Sequence, residues 1–148
     1  MKVLSRSRAI HVMLIYTGGC NGCDIEVVNA VYSPRYDIEQ YNILLTWNPR
    51  EADILLVTGP VTRRVAPALK RLYEAIPEPK VVAGVGACAI NGNVYMNLGG
   101  DLGPSDTCVG PPGNIIPVDA YIPGCPPRPE DILAVAAKAI SILAQRKD

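Results

Sequence analysis

The sequence predicts an α/β fold in which a parallel sheet carries helices on both faces. Three observations lead there. Short apolar runs of strand length recur along the chain, at residues 9–16, 42–47, 53–58, 80–85 and 118–122. Segments with helical spacing alternate with several of them. Gly or Pro punctuates most of the transitions. Strands alternating with helices are the pattern of a sheet buried on both sides, where a strand is apolar throughout rather than on one face.

In chain order, Ala9 to Tyr16 (AIHVMLIY) is the first strand. Lys2, Arg6 and Arg8 precede it, which mimics an export leader, but the apolar run is only eight residues long and contains His11, so a strand is expected and an export signal is not. A Gly-rich loop with two cysteines follows. Asp24 to Val31 is a short helix with acidic residues in its first turn, stopped by Ser33-Pro34. Asp37 to Tyr41 is ambiguous. Asn42 to Trp47 is the second strand, Asn48-Pro49 a turn, and Asp53 to Thr58 (DILLVT) the third strand, broken by Gly59-Pro60.

Arg64 to Ile76 has Val65, Leu69, Leu72 and Ile76 at helical spacing, and Pro67 stands in its tolerant first turn. Lys80 to Val85 is the fourth strand. Asn91 to Gly113 carries nine Gly or Pro residues and little periodicity, so a long functional or partner-bound loop is expected. Val118 to Ile122 is the fifth strand. Pro129 to about Arg146 is the strongest helix, with Ile132, Val135, Ala136, Ala139, Ile140 and Leu143 on its apolar face. No linker or internal repeat divides residues 1–148, which read as a single domain. With no Phe in the chain, the core must be aliphatic.

Composition narrows the function. A formal net charge of zero gives no electrostatic reason to bind nucleic acid. A near-neutral, apolar small protein tends to associate, so a partner subunit is expected. Five cysteines form an odd count, unlike a secreted disulfide framework. No apolar run is long enough to span a membrane, so membrane association would go through partners.

Four of the cysteines lie in three loops that follow strands: Cys20 and Cys23 in TGGCNGC, Cys88 in GAC, and Cys125 in PGCPP. In a parallel α/β sheet such loops share the carboxyl edge. Convergence on one metal centre is the reading that uses all four thiols. Glycines at 18, 19, 22, 86 and 124 would let backbone N–H groups approach the sulfurs. Other readings stand beside it. Zinc accepts four thiolates, although structural zinc usually pairs two CxxC-like knuckles and only one is present. A CxxC dithiol leaves Cys88 and Cys125 unexplained. Buried cysteines acting as small hydrophobes explain one position more easily than four.

The set Cys20-x-x-Cys23, Gly86-x-Cys88-x-x-x-Gly92 and Gly124-Cys125-Pro126-Pro127 resembles the small-subunit signature of nickel–iron hydrogenases. It also resembles the homologous terminal-cluster subunit of respiratory complex I. The phrases CNGCDIE, ADILLVTGPVT and PGCPPRPE are most similar to the energy-converting, membrane-bound hydrogenases, and the likeness runs from Ala9 to about Leu143. The complex I subunit has adjacent cysteines in its first loop. Here Asn21-Gly22 separates them, as in hydrogenases. The extra C-terminal cluster domain of uptake hydrogenases has no counterpart in these residues.

The resemblance implies a flavodoxin-like fold and one 4Fe–4S cluster held by Cys20, Cys23, Cys88 and Cys125. It implies a large catalytic nickel–iron subunit and a ferredoxin-like subunit as partners, membrane subunits contacted indirectly, and a place at the cytoplasmic face of the cell membrane. The chain would conduct electrons and hold no active site of its own. A quinone- or sulfur-reducing complex with the same subunit is the alternative within the redox class. A zinc-stabilised interaction module is the alternative outside it.

Cys108 falls outside the signature and is expected to be a loop or interface thiol. Glu26, about one turn past Cys23, is either a solvated helix residue or a proton-relay or partner-facing carboxylate. Arg63, Arg64 and Arg128 lie on the expected functional edge, where a cation would raise a cluster's potential. Solvation is the default for each. His11 is expected to be a satisfied core histidine, and Trp47 and the tyrosines core or interface residues.

Overall fold

A computed structural model describes residues 9–96 and 107–146. Among the described residues seven strands and four helices follow one another. They are β1 (Ile10–Tyr16), α1 (Gly22–Tyr32), β2 (Ile43–Leu45), β3 (Ile54–Thr58), β4 (Val61–Thr62), α2 (Ala66–Ala75), β5 (Val81–Val85), α3 (Ala87–Asn91), β6 (Cys108–Gly110), β7 (Ala120–Ile122) and α4 (Pro129–Gln145).

Five strands form one sheet in the order β2-β1-β3-β5-β7, and every pairing is parallel. Counted within this sheet the order is 2-1-3-4-5, the flavodoxin-like arrangement, and the order reverses between β1 and β3. The central strands β3 and β5 are buried at every residue, which is why they are apolar without alternation. The edge strands are three residues each.

Successive residues of a strand point to opposite faces, and the core divides accordingly. Val12, Leu14, Ile54, Leu56, Val81, Ala83 and Val85 pack on one face against Val27, Ala30 and Val31 of α1 and Ile132, Ala139 and Leu143 of α4. Met13, Leu55, Val57 and Val82 pack on the other against Leu69 of α2 and Ile116. Helices therefore cover both faces, and the core is aliphatic, as the absence of Phe requires.

Several boundaries differ from the sequence expectation. The first helix begins at Gly22, ahead of Asp24, so Cys23 lies in its first turn. The ambiguous stretch 37–41 contains a short 3-10 turn, Ile38–Tyr41. The long-loop expectation for 91–113 is corrected in part. Asn93–Tyr95 is another 3-10 turn, and β6 pairs antiparallel with β4 in a small second sheet. Pro112–Asn114 is a further 3-10 turn; residues 97–106 of that stretch, like Lys2, Arg6 and Arg8, lie outside the described residues.

The far, amino edge of the sheet is tied by side chains. Asp119 accepts from the Val82 N–H at 2.9 Å, and its carboxylate pairs with the Arg146 guanidinium, which also donates to the Lys80 carbonyl. Lys80, 6% exposed, donates to the Tyr73 and Ile76 carbonyls at the end of α2. At His11 the backbone N–H donates to the buried Asp53 carboxylate at 3.0 Å, and the half-buried ring stands 3.7 Å from the same oxygen. Trp47 and Tyr16, Tyr32, Tyr41 and Tyr121 are exposed, so the core option for them is ruled out.

Candidate metal centre

The loop after β1 turns sharply because Gly18 and Gly19 carry positive φ and Asn21 is left-handed at φ 65, directly before α1. It lies directly against the loop after β3. A Cβ on Gly59 would fall 1.4 Å from the Gly18 oxygen, so the two backbones touch where only glycine fits. Buried Thr17 fastens them further, its hydroxyl donating to the Thr58 carbonyl at 2.8 Å, and the Thr62 N–H bonds back to the Thr17 oxygen. This is the place between β1 and β3 where the strand order reverses.

The other two cysteine loops lock onto the first. Gly86 N–H donates to Ile122 and Ala87 N–H to Gly124, at 2.7 Å for the latter, so the Cys88 and Cys125 loops share a backbone bond. Gly86 has φ 85, and a Cβ there would stand 2.4 Å from Cys23 Sγ. Gly22, between Cys20 and Cys23, lies against Pro126. Loops from β1, β5 and β7 thus meet as three contacting turns.

Cys20 and Cys125 are exposed, Cys23 is half-buried and Cys88 is buried. Burial, with the other thiols and Asp24 close by, pushes the Cys23 thiol up to about 11. Burial also raises Cys88, against a hydrogen bond from Asn93 that lowers it. Each cysteine of the set thus stands within electrostatic reach of others in it. Among the described residues, no group of three or more His, Cys, Asp or Glu side chains converges as a single metal ion would require.

Three polar residues near the thiols carried no role in the sequence reading. Thr58 Oγ1 donates to Asp24 Oδ1 at 2.6 Å, tying the first turn of α1 to the end of β3. Asn93 Nδ2 donates to Cys125 Sγ at 3.6 Å. Thr17 is the buried fastener described above. Asp24 borders Cys23 in sequence, and Asn93 follows Gly92 as a residue tolerant of left-handed backbone, so adjacency was the available signal.

The remaining candidates are more peripheral. Cys108 is a strand residue of β6, near enough to Cys88 to affect its titration, and its expected loop setting is corrected to a paired strand. Glu26 is half-buried in α1. Arg63, Arg64 and Arg128 are exposed, and among the described residues none hydrogen-bonds to a cysteine sulfur. Arg63 uses its backbone N–H to reach Thr107.

The family described as NADH ubiquinone oxidoreductase, 20 Kd subunit, matches residues 20–139. The chain belongs to this family. A Methanocaldococcus jannaschii member is 63% identical over 147 residues, covering 99% of this chain and 97% of its own. A Pyrococcus furiosus member, named a probable membrane-bound hydrogenase subunit, is 45% identical over 93% of this chain and 78% of its own.

Among solved structures, a chain of the membrane-bound sulfane sulfur reductase, an archaeal respiratory membrane complex, superposes with a TM-score of 0.74 at 28% identity. It covers 96% of this chain and 75% of the other. A chain of an NAD⁺-reducing [NiFe]-hydrogenase gives 0.68 at 25% identity, over 94% and 93%. These likenesses bear out the α/β fold and the family resemblance. No helix among the described residues is long and apolar enough to cross a membrane.

Proposed function

We propose that this chain, as one electron-transfer domain over residues 1–148, is the small subunit of a multi-subunit hydrogenase. It would pass electrons from a ferredoxin-like subunit to the nickel–iron site of a separate large subunit, through one 4Fe–4S cluster bound by Cys20, Cys23, Cys88 and Cys125. The observation that carries this reading is the meeting of three cysteine loops at the carboxyl edge of one parallel sheet, locked by the Ala87–Gly124 hydrogen bond and the Gly86–Cys23 contact.

The donor set fits such a group. Four thiols match the usual all-cysteine ligation, and three of them, Cys20, Cys23 and Cys88, line one small cleft where they would hold the group. The cluster supplies one-electron storage and release when bound. The chain's own residues do the rest. Cys23 and Cys88 lie on the dry side, where burial holds their protons on, so loading must expel protons and is favoured at higher pH. The first-turn N–H groups of α1 receive no side-chain cap from Asn21 and leave the positive helix end beside the thiols.

Exposed Cys20 and Cys125 mark the side toward a redox partner. Tyr16, Asn21, Asp24, Ile25, Val28 and Trp47 line a shallow groove adjoining that side. Apolar surface continuous with the electron-exit side suits the large catalytic subunit, since transfer requires close approach. Membrane subunits would be reached indirectly, at the cytoplasmic face. The name of the Pyrococcus relative supports a hydrogenase. The structural likeness to a sulfane sulfur reductase favours, as a second reading, the same subunit in a sulfur-reducing complex.

Metal analysis and EPR of the anaerobically purified complex test this. About four irons per chain with a cubane signal are expected, and nickel with hydrogen evolution selects the hydrogenase. Cys→Ser at 20, 23, 88 or 125 should lose or convert the signal, and Cys108→Ser should leave it. One zinc in a colourless protein would sink the cluster.

A further inference from the structure

Asn93 follows α3 at the start of the 3-10 turn Asn93–Tyr95. Gly92 and Asn93 are consecutive positive-φ residues, at 79 and 45. Glycine adopts such angles without strain, and asparagine is among the few side chains that tolerate them. The turn is braced by Gly92 N–H donating to the Cys88 carbonyl and by Asn93 N–H donating to Asn91 Oδ1 at 2.8 Å. Asn93 is half-buried there, and its amide folds back toward the sulfurs.

The amide nitrogen stands 3.6 Å from Cys125 Sγ. Sulfur is larger than oxygen, so this separation is a hydrogen bond, although it would not be one to an oxygen. The side chain therefore reaches from the turn after α3 to a sulfur of the β7 loop.

We propose that Asn93 is a positioning residue that holds Cys125 and raises the reduction potential of the group bound by the four cysteines, by donating its amide N–H to ligand sulfur. Reduction adds negative charge that spreads onto the ligand sulfurs. A donor stabilises that state more than the oxidised one, so the potential rises. The inference rests on the cluster reading above.

The test compares the unmodified chain with Asn93→Gly and Asn93→Asp in the anaerobically purified complex, by iron analysis and EPR-monitored redox titration. Asn93→Gly keeps the left-handed backbone and deletes the donor. Asn93→Asp keeps the shape and replaces the donor with a carboxylate. At equal iron content the midpoint should fall from the unmodified chain to Gly, and fall further to Asp. Deuterium exchange should shift the iron–sulfur Raman bands less in Asn93→Gly than in the unmodified chain. An unchanged or raised midpoint in Asn93→Gly overturns the inference, and so does loss of iron from both variants, which would make the residue structural only. If the unmodified chain itself carries no iron–sulfur group, the functional reading fails instead.

Discussion

Gly86 shows how a single hydrogen atom can decide the geometry of a thiol. Its φ of 85 and ψ of 165 lie in a region almost confined to glycine, and the missing Cβ is the space that Cys23 Sγ fills. Gly86→Ala should cost about 1–3 kcal/mol in backbone strain and displace Cys23 as well. Denaturant unfolding of the anaerobic protein should show a lower midpoint, with reduced iron per chain. Unchanged values for both would mean that the Cys23 sulfur does not need this space. The cysteines themselves were legible as residues, because spacing and flanking glycines single them out. Asn93 and Thr58 were not, since their importance comes from contacts 32 and 34 positions away in sequence.

Elements were legible where burial is complete. β3 and β5 are apolar end to end because helices cover both faces, and a run such as ILLVT states this directly. The β4–β6 ribbon was not legible. Strands of two and three residues carry no measurable period, and their partners lie far apart in the chain. The sequence expectation starts α1 two residues late, because the acidic first turn at Asp24 is its visible signal, whereas left-handed Asn21 starts the helix at Gly22. At the opposite edge, Asp119 acts as an added acceptor for β5. Asp119→Ala strips the acceptor from the Val82 N–H, on a residue 1% exposed, and frees Arg146. An unsatisfied buried donor costs about 1–3 kcal/mol. The urea midpoint should fall at constant slope, while Asp119→Asn should recover most of the loss by restoring an acceptor. Equal stability for all three proteins would refute the clamp.

For the molecule as a whole, the two ends of the sheet do different work. The amino edge is pinned by Asp119, Arg146 and Lys80, and the carboxyl edge gathers the thiols. Trp47, the only tryptophan in the chain, is 68% exposed beside the groove near the thiols. The isolated chain should therefore emit at the long wavelengths of a solvated indole, and assembly with the proposed large subunit should move the emission to shorter wavelength. An emission unchanged by assembly would place the partner on another face.

The contact between Gly18 and Gly59 bears on what the fold presents at its switch point. A sheet of this strand order has a crevice where the order reverses, and in flavodoxin-like proteins that crevice takes FMN. Here the Gly18 and Gly59 backbones touch and the Thr17 hydroxyl bonds to the Thr58 carbonyl. The small cleft at that point is lined by Cys20, Cys23 and Cys88 together with the glycines. Where related architectures offer a cradle for a flavin, this chain presents sulfur.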